Sequence, residues 1–348
     1  MKVTINDIAR AAGVAKSTVS KVLNDAPTIS EATKEKVRQV IKDLQYTPSS
    51  IATQLARSAS FNIAFIINMD RKSDFSNPFF FSLLSGAESV TCAHGYELTI
   101  ANASYGDTEL LNRYVYSKKA DGLLIHSSII SPELAEELRK TELPYVVIGR
   151  PAVPKGTLWV DIDNDAGSEI AVSHLLEQGY RRIGMLTGMP GDPISQNRLN
   201  GFKRAMASRG VTDDALKLVR TGPGDEASGE RLMTDLLQQN ERPDAIVCTN
   251  NYLAFGALQA LEKAGLSVPG SFGVVAFDNF PIAPYMRPPL TVIHMDTHEL
   301  GIMASTMLLE RIREPSVSVE PQILLPELFV RSSTRKGCGK DNGTILGS

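Results

Sequence analysis

Cysteine is scarce. The 348 residues hold three, Cys92, Cys248 and Cys338, an odd number placed too far apart for a disulfide framework or a zinc ligand set. No apolar run approaches the ~20 residues that a bilayer-spanning helix needs. The N-terminus lacks the charged-then-apolar pattern of a secretory leader, so the sequence predicts a cytoplasmic protein with no membrane partner. The patterns GxxxxGK[ST], HExxH and GxSxG are missing, leaving enzyme chemistry, a metal and a cofactor unsupported. Glycines in the stretch GMLTGMPGD give only a weak phosphate-loop pattern, which turn flexibility explains equally well. The last residues, 336–348, are Gly-rich and uncapped and carry no heptad. A disordered tail without a tetramerising coiled coil is expected.

Net charge is also small, at −3, but unevenly spread. Residues 1–60 carry nine bases against five acids, and the remainder twenty-seven against thirty-four. A basic head on an acidic body suits phosphate contact by the head alone.

What is present begins at residues 4–24, TINDIARAAGVAKSTVSKVLN. Thr4 followed three residues later by Asp7 has the form of a capping box. Ile5, Ile8, Ala9 and Ala12 recur at the spacing of one buried helix face. Gly13 can adopt the left-handed backbone that ends this helix. Val19, Val22 and Leu23 then mark a second short helix with Lys16, Ser17, Ser20 and Lys21 on its open face. This is a helix-turn-helix, whose second helix fits the DNA major groove. A third helix is expected from the N-cap Ser30, with an apolar stripe of Val37, Val40, Ile41 and Leu44.

Pro48 stops regular helix, and SSIATQLARSAS at residues 49–60 is too short and weakly apolar to be a stable helix alone. It is expected to order only when held. From residue 62 the texture changes. Short apolar runs at 63–67, 98–100, 122–125 and 145–148 alternate with helical stretches, and the pattern repeats at 183–186, 245–248 and 274–277. Such alternation predicts βαβ units in two doubly wound parallel-sheet subdomains, hence an α/β fold. Runs at 290–294, 322–325 and 328–330 are expected to carry the chain back across a waist.

GVAKSTVSKVLN resembles the signature of the LacI family of bacterial transcription regulators, and Tyr46-Thr47-Pro48 with Ala52 and Leu55 resembles its hinge. The resemblance spans roughly residues 2–335. It implies a three-helix DNA-binding domain (1–47), a hinge helix (48–61) and an effector-binding and dimerisation domain (62–335) of the type-I periplasmic-binding-protein fold. Its N-subdomain would comprise about 62–161 and 292–322, and its C-subdomain about 162–291 and 323–335. By position in the motif, Lys16, Ser17 and Lys21 are the base-reading candidates. Thr18, Ser20 and Asn24 suit phosphates or neighbouring bases, as do Thr4, Ser30 and Thr33, for which capping is an equal explanation. The family usually has Ser where Ala15 stands, and losing such an N-cap costs ~1 kcal/mol. Leu55 occupies the position of a minor-groove wedge, with Ala52 allowing close approach. Ser49 and Thr53 replace the usual Asn and Arg, reducing the charge presented to that groove.

A small head implies a symmetric dimer on palindromic double-stranded DNA. Its contact is sought in the body, with the helix after Pro78 as one candidate and an intramolecular core as the other account of that helix. Ligands of parallel α/β sheets lie beyond the carboxyl ends of strands. Asp70, Phe75, Asn77, Phe79, Arg150, Arg198, Asn250 and Asp278 are therefore effector candidates, Arg198 and Asp278 foremost. Their chemistry suits a sugar: planar donors and acceptors around an apolar surface. Many relatives carry an aromatic near the position of Gly224, where this chain has none. SNPFF, VVIGRP, VDIDNDAG and PPLTVIHMDTHELG most resemble the maltose-operon branch, which implies an α-glucoside. A nucleobase or phosphoprotein co-repressor is the alternative within the family, and a sugar-binding transport receptor the alternative outside it.

Overall fold

The computed structural model describes residues 3–23, 25–46, 59–69, 78–151, 156–210, 217–316 and 320–334. The chain divides into two compact units, Met1–Phe61 and Asn62–Ser348. Asn24, Ala52, Leu55, Asp70, Phe75 and Asn77, with most of the hinge and the tail, lie outside the described residues.

Three helices build the first unit: α1 (Ile5–Ala12), α2 (Lys16–Leu23) and α3 (Glu31–Asp43). Ile8, Ala9, Ala12, Val19, Val22 and Val37 form its buried core, which is the apolar face that the sequence spacing marks. Gly13 ends α1 at φ 64°, in the left-handed region, where a side chain costs energy. One stabilising element has no hydrophobic signature. Asp25, itself at φ 50°, accepts from Arg38 at 2.8 Å and pairs with Lys34 at 3.1 Å. Those contacts tie the turn after α2 to α3. Hydrogen bonds and charge from Lys34 and Arg38 hold the Asp25 carboxyl below its ordinary range.

The second unit contains β1 (Asn62–Ile67), α4 (Pro78–Ala93), β2 (Glu97–Asn102), β3 (Gly122–His126), α5 (Pro132–Lys140), β4 (Tyr145–Ile148), β5 (Trp159–Ile162), α6 (Asn164–Glu177), β6 (Ile183–Thr187), α7 (Pro193–Ala207), β7 (Val219–Thr221), α8 (Glu226–Leu237), β8 (Ala245–Cys248), α9 (Asn251–Lys263), β9 (Gly273–Phe277), β10 (Thr291–His294), α10 (Thr297–Arg313), β11 (Gln322–Leu324) and β12 (Glu327–Phe329). A π-helical turn, Leu111–Tyr116, precedes β3. The strands form two six-stranded sheets, β11-β5-β4-β3-β1-β2 and β12-β10-β9-β8-β6-β7. Among the described residues, all pairs are parallel except β10 with β12. Central strands such as β6, β8 and β9 are buried along their whole length. Helices on both faces demand this, and it makes the runs continuously apolar rather than alternating.

The crossings between lobes fall a few residues later than the sequence patterns suggest. Residues 291–294 pair with β9 and belong to the second sheet, so this return crosses after His294. Residues 322–324 pair with β5 in the first sheet, and the chain crosses again before β12. Hydrophobic runs locate such strands, but only hydrogen-bond partners decide which sheet owns them.

The helix after Pro78, α4, buries Phe80, Leu83, Leu84 and Ala87 against α10. The two approach so closely that a Cβ on Gly86 would lie 2.0 Å from the His298 carbonyl oxygen, and one on Gly301 2.2 Å from that of Leu83. Intramolecular packing therefore accounts for that face of α4, although Phe81 stays exposed. No helix among the described residues is long and apolar enough to cross a membrane.

Candidate nucleic-acid interface and effector cleft

In the head, Ala15 starts α2 with its carbonyl alone, accepting from the N–H groups of Thr18 and Val19. The buried Val19 and Val22 fix the rotation of the helix, leaving Lys16, Ser17 and Lys21 exposed and Thr18 and Ser20 half-buried. Long cations and a small hydroxyl on one rigid, exposed helix face suit base edges and phosphates. Thr4 and Ser30 are engaged locally. Asp7 accepts from both the N–H and the hydroxyl of Thr4, at 3.0 and 2.7 Å. The hydroxyls of Ser30 and Thr33 meet at 2.9 Å.

In the body, the carboxyl ends of the strands converge on Arg198, on α7. Its sequence neighbours gave no sign that it is only 5 % exposed. Nε donates to Asn164 Oδ1 at 2.8 Å, Nη1 donates to the Thr249 carbonyl, and Nη2 stands 3.5 Å from Asp278 Oδ1. The guanidinium also lies 4.1 Å above the Phe277 ring centre. Three carboxylates, Asp278, Asp192 and Asp161, act electrostatically on it. Burial pushes the carboxyls of Asp278 and Asp161 above their ordinary range, and the nearby arginines only partly offset that cost.

The other candidates separate. Asn250 caps α9, accepting from the Leu253 N–H at 2.8 Å and donating to the Gly224 carbonyl at 3.1 Å. A Cβ on Gly224 would lie 2.7 Å from that amide nitrogen, so the Asn250 side chain fills the space a stacking aromatic would need. Arg150 is exposed, its guanidinium 5.0 Å above the Trp159 ring and its N–H donating to Asp161 at 3.1 Å. Phe79 reaches the cleft: with Pro78, Asp278, Phe280 and His294 it lines a cavity of about 150 Å³. Tyr252, just inside α9, packs edge-on to Phe280 and Phe255.

Three cleft residues escaped sequence reasoning. His126 ends β3, its Nδ1 2.8 Å from the Ser128 hydroxyl. Burial lowers its pKa, against the opposing charge of Asp192 from the facing lobe. His294 ends β10 and stacks on Phe329 at 5.0 Å. Thr187 ends β6. The available signal was position: His126 and Thr187 stand one residue past predicted runs, and His294 is the last residue of one.

Comparison with known proteins places the chain in a family. Residues 4–49 match the family described as "Bacterial regulatory proteins, lacI family", and residues 172–334 the "Periplasmic binding protein-like domain". The chain is 32% identical to the HTH-type transcriptional repressor PurR of Photobacterium profundum, over 95% of this chain and 98% of that one. The chain belongs to the lacI family. It is also 33% identical to the ribose operon repressor of Escherichia coli (strain K12), over 95% of this chain and 99% of that one. The lac repressor dimer bound to operator and the anti-inducer ONPF shares its fold with a TM-score of 0.80 at 25% identity, over 96% of this chain and 99% of that one. As a lacI-family member the protein is a DNA-binding transcriptional repressor answering to a small-molecule effector, and not an enzyme. These relatives tie it to the family as a whole rather than to its maltose-operon branch.

Proposed function

We propose that the protein is a homodimeric repressor whose affinity for a palindromic operator is set by a neutral sugar in the cleft around Arg198 and Asp278. One observation carries the sugar reading. Among the described residues, Thr187 Oγ1, Asp278 Oδ1 and His294 Nδ1 are buried, lack a hydrogen-bond partner and stand where strands of the second sheet end, the Asp278 oxygen having only its ion pair with Arg198 at 3.5 Å. Unpaired buried polar atoms are costly, and a ligand rich in hydroxyls pairs with such a mixed set. Asp161, Asp192 and Asp278 act on the buried Arg198, which already serves Asn164, the Thr249 carbonyl and Asp278, so a dianionic ligand at this arginine adds repulsion.

At the DNA, Lys16, Ser17 and Lys21 read base edges, and Leu55 wedges the minor groove beside Ala52. A dimer supplies the two heads that a palindrome needs, as in the lac repressor dimer on its operator. The effector prefers one lobe arrangement, and its differential affinity sets the change in operator binding. Maltose is the first α-glucoside to test, D-ribose the first alternative, and a cytoplasmic location fits all of this. The test is binding of the intact protein to a palindromic site selected from a random DNA pool, titrated with maltose, D-ribose, D-glucose and D-glucose 6-phosphate. A neutral sugar should shift operator affinity and the phosphate should not. Response to the phosphate alone, or to none of the four, refutes the sugar reading.

A further inference from the structure

Among the described cleft candidates, Asp278 is the one whose backbone is strained. Its φ of 70° lies in the left-handed region, which is unfavourable for a non-glycine residue and persists only where neighbours over-determine it. What holds it comes from a neighbouring helix and strand. Asn251, fully buried at the first turn of α9, directs its side-chain amide at two carbonyls, those of Phe277 at 2.7 Å and of Asp278 itself. Both neighbours are acceptors, so the nitrogen must be the atom that faces them. The Asp278 N–H meanwhile donates to the Ile293 carbonyl at 2.9 Å. The peptide on either side of the Asp278 Cα is thus fixed from α9 and from β10, and the carboxylate leaves this clamp toward Arg198.

We infer that Asn251 is a positioning residue for the effector site: by holding the 277–278 carbonyls it keeps Asp278 left-handed and its carboxylate presented to the ligand. The inference rests on the proposal that Asp278 contacts a sugar. Asn250, its neighbour, is the residue that the sequence pattern favours, yet Asn250 spends its side chain on the helix cap and on Gly224. Asn251 also leaves Oδ1 unpartnered, so its amide is held for the carbonyls rather than by a balanced network. Aspartate is isosteric there but puts an acceptor against two acceptors, and alanine removes the donor.

The test is a double-mutant cycle in the full-length protein, read as sugar affinity by calorimetry and by fluorescence of Trp159, the single tryptophan. The titrants are maltose and D-ribose. Asn251→Ala and Asn251→Asp should each weaken binding about tenfold or more, roughly 1.4 kcal/mol of binding free energy, because Asp278 loses the contacts that hold its backbone. In the Asp278→Gly background, where glycine accepts the backbone freely, Asn251→Ala should change affinity less than twofold. Phe202→Leu, a core substitution in the same lobe, controls for destabilisation and should leave sugar affinity within twofold. Full additivity in the cycle, or no effect of either Asn251 variant while Asp278→Gly weakens binding, overturns the positioning role alone. No effect of Asp278→Gly, or no binding of either sugar, overturns the reading beneath it.

Discussion

Replacing Arg198 by leucine removes three interactions at once: the donation to Asn164, the donation to the Thr249 carbonyl, and the charge beside Asp278. Leucine keeps apolar contact with the Phe277 ring, so packing changes little and electrostatics dominate. Breaking a buried ion pair from one side typically costs about 3–5 kcal/mol, because the remaining charge is left uncompensated. Asp278 can escape part of that cost by taking up a proton. Burial already raises its pKa, and the arginine that opposes the rise is gone. The low end of the range, about 3 kcal/mol, is therefore expected at pH 7.5, or a melting decrease of roughly 6–12 °C for a domain of this size. The sign of the pH dependence follows. An acid whose folded pKa exceeds its unfolded value binds its proton preferentially in the fold, so stability falls as pH rises through that range. The deficit of Arg198→Leu relative to the parent should thus shrink between pH 7.5 and 5.5. Calorimetric unfolding of both proteins at the two pH values reads it. A deficit below about 1 kcal/mol, or one that grows on acidification, would refute the buried-pair account.

Lys21→Ala should leave thermal unfolding within about 0.5 kcal/mol, as an exposed helix residue, while weakening operator binding about tenfold or more; unchanged binding across salt concentrations removes its role at the DNA. Gly86→Ala places a Cβ against the His298 carbonyl and should destabilise the body by about 1–3 kcal/mol in chemical denaturation, and a neutral result would show that α4 and α10 are not so tightly crossed. His174, buried with Nε2 2.8 Å from the Thr334 hydroxyl, has its pKa lowered by desolvation. The unfolded chain then binds the extra proton first, so stability is full above pH ~6.5 and declines below it. His174→Gln should flatten that decline in melting scans between pH 7.5 and 5.5, and an equally steep slope in the variant contradicts the assignment.

Much of the fold is visible in sequence because its elements are driven by burial patterns. The three-and-four spacing of Ile8, Ala9 and Ala12 and the apolar strand runs report which faces lie inside, and Gly13 marks a backbone need that only glycine meets cheaply. Asp278 is legible as a residue following a strand, whereas Arg198 lies inside α7 and is brought to the cleft by the packing of that helix. What pattern could not supply is pairing. That Asp25 anchors Lys34 and Arg38, or that β10 and β11 lie in different sheets, depends on partners distant in sequence. The same limit explains the cleft. Asn250 and Asn251 are adjacent and chemically identical, yet one caps a helix and the other clamps a strained aspartate. The rotation of α9 separates those roles, and a sequence does not print rotation to one residue.

The coupling between cleft and head is tested most directly by closing a thermodynamic cycle: operator affinity with and without saturating maltose or D-ribose, and affinity for that sugar with and without operator. Linkage requires the two ratios to be equal, and a repressor controlled from the Arg198–Asp278 cleft should show a shared factor of about 5–150, abolished by Asp278→Gly. A sugar that binds with the same affinity whether or not operator is present would contradict control from this cleft.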